Sequence, residues 1–366
     1  MQQTCKNYSV SSLGEYLEII NFLDNCTLTH GKSNTPAHSG KISRLWYRGH
    51  EKQNYVLLPT LFRSGGGTSS HYGNNHLRED LRYQHFRSKC TQLVATNPES
   101  KIEWQEIMQH HLGKTRLMDW SESAISALMF AIEAFVDPAD NKALDYRRIN
   151  MTPAVWVLDP IRLNMHIYDI FRDNPYLINN ALRDMLPYGR WSPLLVQKII
   201  KQLKGQKKDF FDNAKESAIN GIVCLSVIER ERQANASRLD NLLRNEEFNP
   251  FFYLLLRYYS DGLVTPMNTL PPLAVVHPYH SNRIQSQHGV FTVVPHYQIN
   301  DNQINSVEDK RPMERQLLIS DCLYKISINR PASIAKELLM MGERRTSLYP
   351  DLEVYVKDIE AEDWKL

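Results

Sequence analysis

The stretch that most limits what this chain can fold into spans residues 104–135, WQEIMQHHLGKTRLMDWSESAISALMFAIEAF. Two consecutive histidines (His110, His111), a Thr115-Arg116 pair, an Asp119-Trp120 pair and a Ser121-x-Ser123 lead straight into an apolar helical segment at 124–135. Polar chemistry feeding directly into a core helix is how a fold presents a site from a rigid base. Two outlying polar clusters are candidates to meet this block in space, WYRGH at 46–50 and the run from Arg283 to Phe291.

The totals narrow the function classes. A chain of 366 residues, 42% hydrophobic and 23% charged, is globular and long enough to bury a full core without staples. A net charge of +2 excludes a globally basic nucleic-acid coat and leaves a local basic patch open. The five cysteines are dispersed, with no CxxC pair and no His at ligand spacing, so free thiols in a reducing compartment are expected and no metal is. Residues 1–10 are polar, and no run approaches the ~20 apolar residues of a membrane span. The expectation is a cytoplasmic protein without a membrane partner.

Along the chain, Ser12-x-x-Glu15 reads as a capping box opening a helix over 12–23, with Leu17, Ile19, Ile20 and Leu23 inward. Residues 25–41 read as a loop, 45–48 as a short strand ended by Gly49, and 55–58 as another short strand or extended run. The triple glycine in 64–75 lacks a P-loop ending. Helices are predicted at 76–95, with Leu77, Leu81, Phe86 and Leu93 inward, and at 101–111. Strands are predicted at 154–158, 222–227, 273–276, 290–294 and 323–328, and a last helix at 334–341. Lys198, Lys201, Lys204 and Lys208 share one face of a predicted helix over 194–208, either a solvated side or a phosphate-contacting stripe. Strands and helices alternate without a βαβ rhythm. The fold class expected is α+β, a mixed or antiparallel sheet core with surrounding helices.

At Tyr47-Arg48-Gly49 the chain resembles the FRG domain family, whose Phe/Tyr-Arg-Gly signature gives it its name. The segments LPTLFR at 58–63, Gln109-His110-His111 and TRLMDW at 115–120 are similar to that family's later blocks. So are Ala127-Leu128-x-Phe130-Ala131, the run from Arg283 to Phe291, and SLYPDL at 347–352. The resemblance extends over about 11–358. It implies a single FRG-type domain over 1–366, with an N-terminal helical region at 1–41 and an insert at about 164–272. The chain departs from the family pattern where Leu112-Gly113-Lys114 replaces Gly-x-Pro before Thr115.

FRG domains occur in prokaryotic defence and toxin-like settings. A looser resemblance, to ADP-ribosyltransferases, rests on an early-strand Arg, a Ser at a strand-to-helix junction and a late Glu or Gln. Arg48, Ser121 and Gln287 take those places, and the fold would then be ADP-ribosyltransferase-like. Such enzymes bind NAD, break its nicotinamide–ribose bond and pass ADP-ribose to a protein or nucleic acid. The resemblance implies NAD as substrate, RNA or protein as acceptor, and a neutralising antitoxin as a partner.

The residue chemistry leaves alternatives open. NAD cleavage needs a guanidinium on the pyrophosphate, a hydroxyl on the ribose and an acceptor facing the developing cation. Arg48 can supply the first, or can be a buried Arg tying its strand to a carboxylate such as Asp119. Tyr47, Gly49, Thr115, Arg116, Asp119 and Ser121 are the further candidate cofactor-binding residues. Arg116 and Asp119 can equally form a buried ion pair that shapes the site, and Ser121-x-Ser123 can equally cap a helix. Gln287, His288 and His110 are the candidate catalytic residues, the histidines as acid or base. Rival readings are an NAD glycohydrolase, a nuclease, and a non-catalytic nucleotide- or phosphate-binding module.

Overall fold

The computed structural model describes residues 6–29, 45–63, 75–94, 101–136, 152–183, 218–219, 222–224, 254–260, 265–266, 270–276, 282–298, 313–316 and 322–363, with a few single positions between. The strongest strand in the sequence, AVWVL, is β4 (Ala154–Leu158), and all five of its residues are buried. A strand buried on both faces must be covered on both sides, and the architecture follows from that.

β4 sits inside a nine-stranded mixed sheet of order β1-β11-β4-β2-β3-β9-β8-β6-β5. The strands are β1 (Lys6–Val10), β2 (Trp46–His50), β3 (Leu117–Ser121), β5 (Ala218–Ile219), β6 (Ile222–Cys224), β8 (Leu273–Val276), β9 (Gly289–Val293) and β11 (Leu323–Ile328). β7 (Thr265–Pro266) and β10 (Tyr297–Gln298) form a separate parallel pair. Within the large sheet only β1–β11 and β6–β8 are parallel; the remaining pairs are antiparallel. The expected mixed sheet with surrounding helices is what the chain forms.

Alternation along the strands sorts the core into two layers. Tyr47, Val155, Val157, Tyr324, Ile326 and Ile328 face one layer. There they meet Leu13, Tyr16 and Leu23 of α1 (Leu13–Thr29), Ala127, Leu128 and Ala131 of α5 (Ala124–Ala131), and Ile334 and Leu338 of a late helix, Pro331–Met340. Their neighbours in the strands, Trp46, Met118, Trp120, Trp156, Leu158 and Leu323, face the other layer with Leu163. Leu163 belongs to α7 (Pro160–Asp173), which Asp159 caps by accepting from the Arg162 N–H at 3.0 Å. Pro160 at the first helical position suits an N-terminus.

Several local expectations need correction. Residues 6–10, inside the region read as helical, form edge strand β1. Helix α1 continues to Thr29 through part of the expected loop, and Tyr16 rather than Leu17 points inward, Leu17 being 42% exposed. Residues 55–58 form no strand, and the Leu58 N–H turns back to the Val56 carbonyl at 3.0 Å. In α3 (Asn75–Cys90) Leu81 is 65% exposed, and Leu93 beyond it 81%. That helix packs through Phe86, edge-on to Trp104 of α4 (Lys101–His110). Of the lysine stripe, Lys201 is helical and exposed, while Lys198, Lys204 and Lys208 lie outside the described residues, as does most of the predicted insert. Among the described residues no helix is long and apolar enough to cross a membrane, and Cys90 and Cys322 are free thiols.

Candidate functional site

β2 and β3 are adjacent antiparallel strands, with Tyr47 opposite Ser121. Helix α5 crosses β2 so closely that a Cβ on Gly49 would lie 2.1 Å from the Ala127 carbonyl oxygen and 2.5 Å from the Ala131 nitrogen. Only glycine permits that approach. The helix is set in place by Ser123, whose hydroxyl accepts from the Ser126 N–H at 3.1 Å, a cap worth about 1 kcal/mol. Ser121 accepts from the Ser123 N–H at 3.0 Å and donates to the Gln287 carbonyl at 2.7 Å. Ser123 is thus the cap and Ser121 the brace behind it.

Over these strand ends opens a cleft of about 430 Å³. Its lining includes Tyr47, Arg48, Gly49 and His50 of β2, and Glu106, Gln109 and His110 of α4. Asp119, Trp120 and Ser121 of β3, Phe130 and Glu133, and Arg283 and Gln287 complete much of the wall. One chain of hydrogen bonds joins the 104–135 block to the 46–50 cluster. Thr115 Oγ1 donates to Gln109 Oε1, and Gln109 Nε2 donates to Asp119 Oδ1 at 2.6 Å. Arg48 Nη1 donates to the Asp119 carbonyl oxygen, and Arg48 Nε donates to His50 Nε2 at 3.2 Å. Arg48 Nη1 also lies 3.8 Å from Asp119 Oδ2.

Burial lowers the Arg48 pKa and the Asp119 charge opposes the shift; the guanidinium stays charged. His50 is pushed down from 6.5 to about 3, chiefly by burial, then by the Arg48 and Arg63 charges. It is therefore a neutral acceptor for Arg48 throughout the physiological range. His110, edge-on to His111 at 5.1 Å, has its pKa lowered by burial first, then by His111 and Arg283.

Of the residues singled out in the sequence, Tyr47, Arg48, Gly49, His110, Asp119, Ser121 and Gln287 line the cleft. Thr115, Arg116 and His288 do not. Thr115 is buried and orients Gln109 from behind. Arg116 does not pair with Asp119: it is fully buried, with Nε 3.5 Å from Glu79 Oε2, and its backbone N–H donates to Glu79 Oε1 at 3.1 Å. His296 Nε2 approaches the same carboxylate at 3.7 Å. His288 is exposed with φ of 48°, a turn position ahead of β9. Gln287 spends its amide on the Leu348 carbonyl, 3.1 Å away.

The sequence does not single out His50, Gln109, Glu106 and Arg283, which line the cleft, although His50, Gln109 and Arg283 lie within its motifs. Glu133 also lines the cleft, bonded by the Tyr349 hydroxyl at 3.3 Å and paired with Arg345 at 3.5 Å. The departure at 112–114 also has a local form. Leu112 takes φ of 63° and is 94% exposed at the end of α4, a left-handed position where glycine is favoured. Among the described residues no group of three or more His, Cys, Asp or Glu is gathered as metal ligands.

No curated protein and no solved structure matches the chain. The family match is shorter than the resemblance read over about 11–358. It covers the cleft floor with α4 and α5, and leaves out Arg283, Gln287 and Tyr349: residues 43–140 match the FRG domain.

Proposed function

We propose that the cleft binds NAD and transfers its ADP-ribose to a macromolecule, RNA being the acceptor class to test first. One observation carries the reading: Arg48 lines the cleft with two of its three nitrogens already fixed. Nε is held by neutral His50 and Nη1 by the Asp119 backbone, while Nη2 makes no hydrogen bond among the described residues. A preorganised, partly dehydrated guanidinium is suited to a pyrophosphate, and its fork geometry is one that lysine lacks.

In the reaction, the bond between ribose C1′ and the nicotinamide nitrogen breaks and nicotinamide leaves with the electron pair. The acceptor nucleophile bonds to C1′ and its proton passes to a base. His110, whose pKa is lowered by burial first and then by His111 and Arg283, is the group suited to take that proton. The ribose cation that develops calls for negative charge, which Glu106, Asp119 and Glu133 supply around the cleft. The setting inferred, a toxin or antiphage effector restrained by a neutralising protein, follows from the FRG resemblance alone.

The test is label transfer from adenylate-labelled NAD to total RNA, DNA or lysate protein. Labelled macromolecule with wild type, and at least about 100-fold less with Arg48→Ala, supports the transferase. Free ADP-ribose without labelled macromolecule converts the reading to a glycohydrolase, and RNA shortened with NAD untouched converts it to a nuclease. A second reading is favoured by the commitments of Ser121 and Gln287, whose side chains brace the fold. A cleft so built also suits a nucleotide-binding module without turnover, which would bind ADP-ribose and leave NAD intact.

A further inference from the structure

Arg48 and Arg283 line the cleft and Arg345 pairs with its Glu133, and the three guanidinium groups differ in what neutralises them. Arg48 has Asp119, and Arg345 has Glu133. Arg283, which lines the cleft, forms no ion pair among the described residues. Its guanidinium carbon instead lies 4.6 Å from the centre of the Tyr349 ring, a cation–π contact.

That ring is itself fixed. The Tyr349 hydroxyl donates to Glu133 Oε2 at 3.3 Å, and Phe130 meets the ring edge-on at 6.1 Å. Burial first, then the Glu133 charge, pushes the phenol up to about 12, so it stays neutral. The neighbouring Leu348 carbonyl accepts from Gln287 Nε2 and from Ser286 Oγ, each at 3.1 Å. Ser286 ends the short helix that carries Arg283, Asn282–Ser286, and Gln287 follows it, so ring and guanidinium are fastened to each other through the backbone as well. A stacked guanidinium keeps its N–H edge for in-plane acceptors. In a half-buried wall without a carboxylate partner among the described residues, that edge calls for an anion from outside the chain.

We propose that Arg283 is a second anion-binding residue of the cleft, acting with Arg48 on the linked phosphates of a nucleoside diphosphate. The inference rests on reading the cleft as a nucleotide site, and its test separates from that of the transferase. Binding of ADP-ribose, ADP and adenosine is measured by calorimetry for wild type, Arg283→Ala, Arg283→Gln and Tyr349→Leu. Arg283→Gln removes the charge and keeps an amide to lie on the ring, which guards against a folding artefact.

Wild type is expected to bind ADP-ribose and ADP. Arg283→Ala and Arg283→Gln should weaken both by about 10- to 100-fold with adenosine affinity unchanged. Tyr349→Leu should weaken ADP binding by about 3- to 10-fold through loss of the platform. Equal affinities in wild type and both Arg283 variants would overturn the proposal. So would a matched loss for adenosine, or no binding of either diphosphate by wild type. Diphosphate binding through Arg283 without nicotinamide release would leave this inference standing and remove the transferase; nicotinamide release unaffected by Arg283→Ala would do the reverse.

Discussion

Arg48 and Arg116 stand in neighbouring sequence blocks, each beside a carboxylate in the fold, and the sequence alone offers both as candidates for one ligand or for an ion pair. The molecule treats them differently. Arg48 leaves 17% of its side chain exposed, in the cleft, against an Asp119 that is 59% exposed. Arg116 and Glu79 are both fully buried, with His296 beside them. An ion pair sealed from water gains from mutual attraction what it loses in hydration, and each partner depends on the other. The comparison teaches that a guanidinium is available to a ligand when its carboxylate is solvated and its remaining donors face open space, whatever its motif.

Breaking the sealed pair should have the largest effect. Arg116→Ala leaves the Glu79 carboxyl buried without its guanidinium partner, at a cost of about 3–5 kcal/mol in chemical denaturation. Glu79→Ala should cost as much, and neither variant should show altered ADP-ribose affinity under conditions where it is folded. Arg48→Ala should do the opposite, shifting stability by less than about 1 kcal/mol and abolishing ligand binding. If both arginines behaved alike, the contrast would fail.

The histidine beside Arg48 sharpens it next. His50 titrates near 3 in the folded chain and near 6.5 unfolded, so the unfolded state takes up its proton first. Stability is unaffected above about pH 6.5 and falls as pH drops from there toward 3, by a total on the order of 5 kcal/mol. In His50→Gln, which keeps an acceptor for Arg48, that part of the acid sensitivity should disappear when pH-dependent unfolding is compared with wild type. The smallest effect lies at the cleft rim. Leu112→Gly relieves a left-handed backbone and should stabilise by about 0.5–1 kcal/mol in thermal unfolding, without changing the site network.

What was legible in the sequence is what depends on local chemistry. The five-residue apolar run at β4, the alternation in β11 and the Ser123 cap all carry short-range signatures, and each is found where expected. The convergence of the 47–50, 109–110 and 119–121 blocks on one cleft was also readable, because each block ends at a strand or helix terminus. What was not legible depends on pairing across the fold. Glu79 looks like any polar residue of a charged helix until α3 lies against the start of β3, 37 positions later. Helical spacing suggested Leu81 as an inward residue, yet the face that packs is set by Phe86 meeting Trp104. The pairing of Arg283 with Tyr349 joins segments separated by 66 positions and has no periodic signal at all.

The most direct test of the central claim, that Arg48 faces a nucleotide and Arg116 does not, is nicotinamide release from NAD in the presence of lysate. Wild type, Arg48→Lys and Arg48→Ala are compared after each is shown to unfold at the wild-type denaturant midpoint. Release by wild type is predicted, falling about 10-fold or more in Arg48→Lys and further in Arg48→Ala, since a point charge cannot replace the fork. Equal release by all three, or none by wild type with any acceptor fraction, would contradict the account.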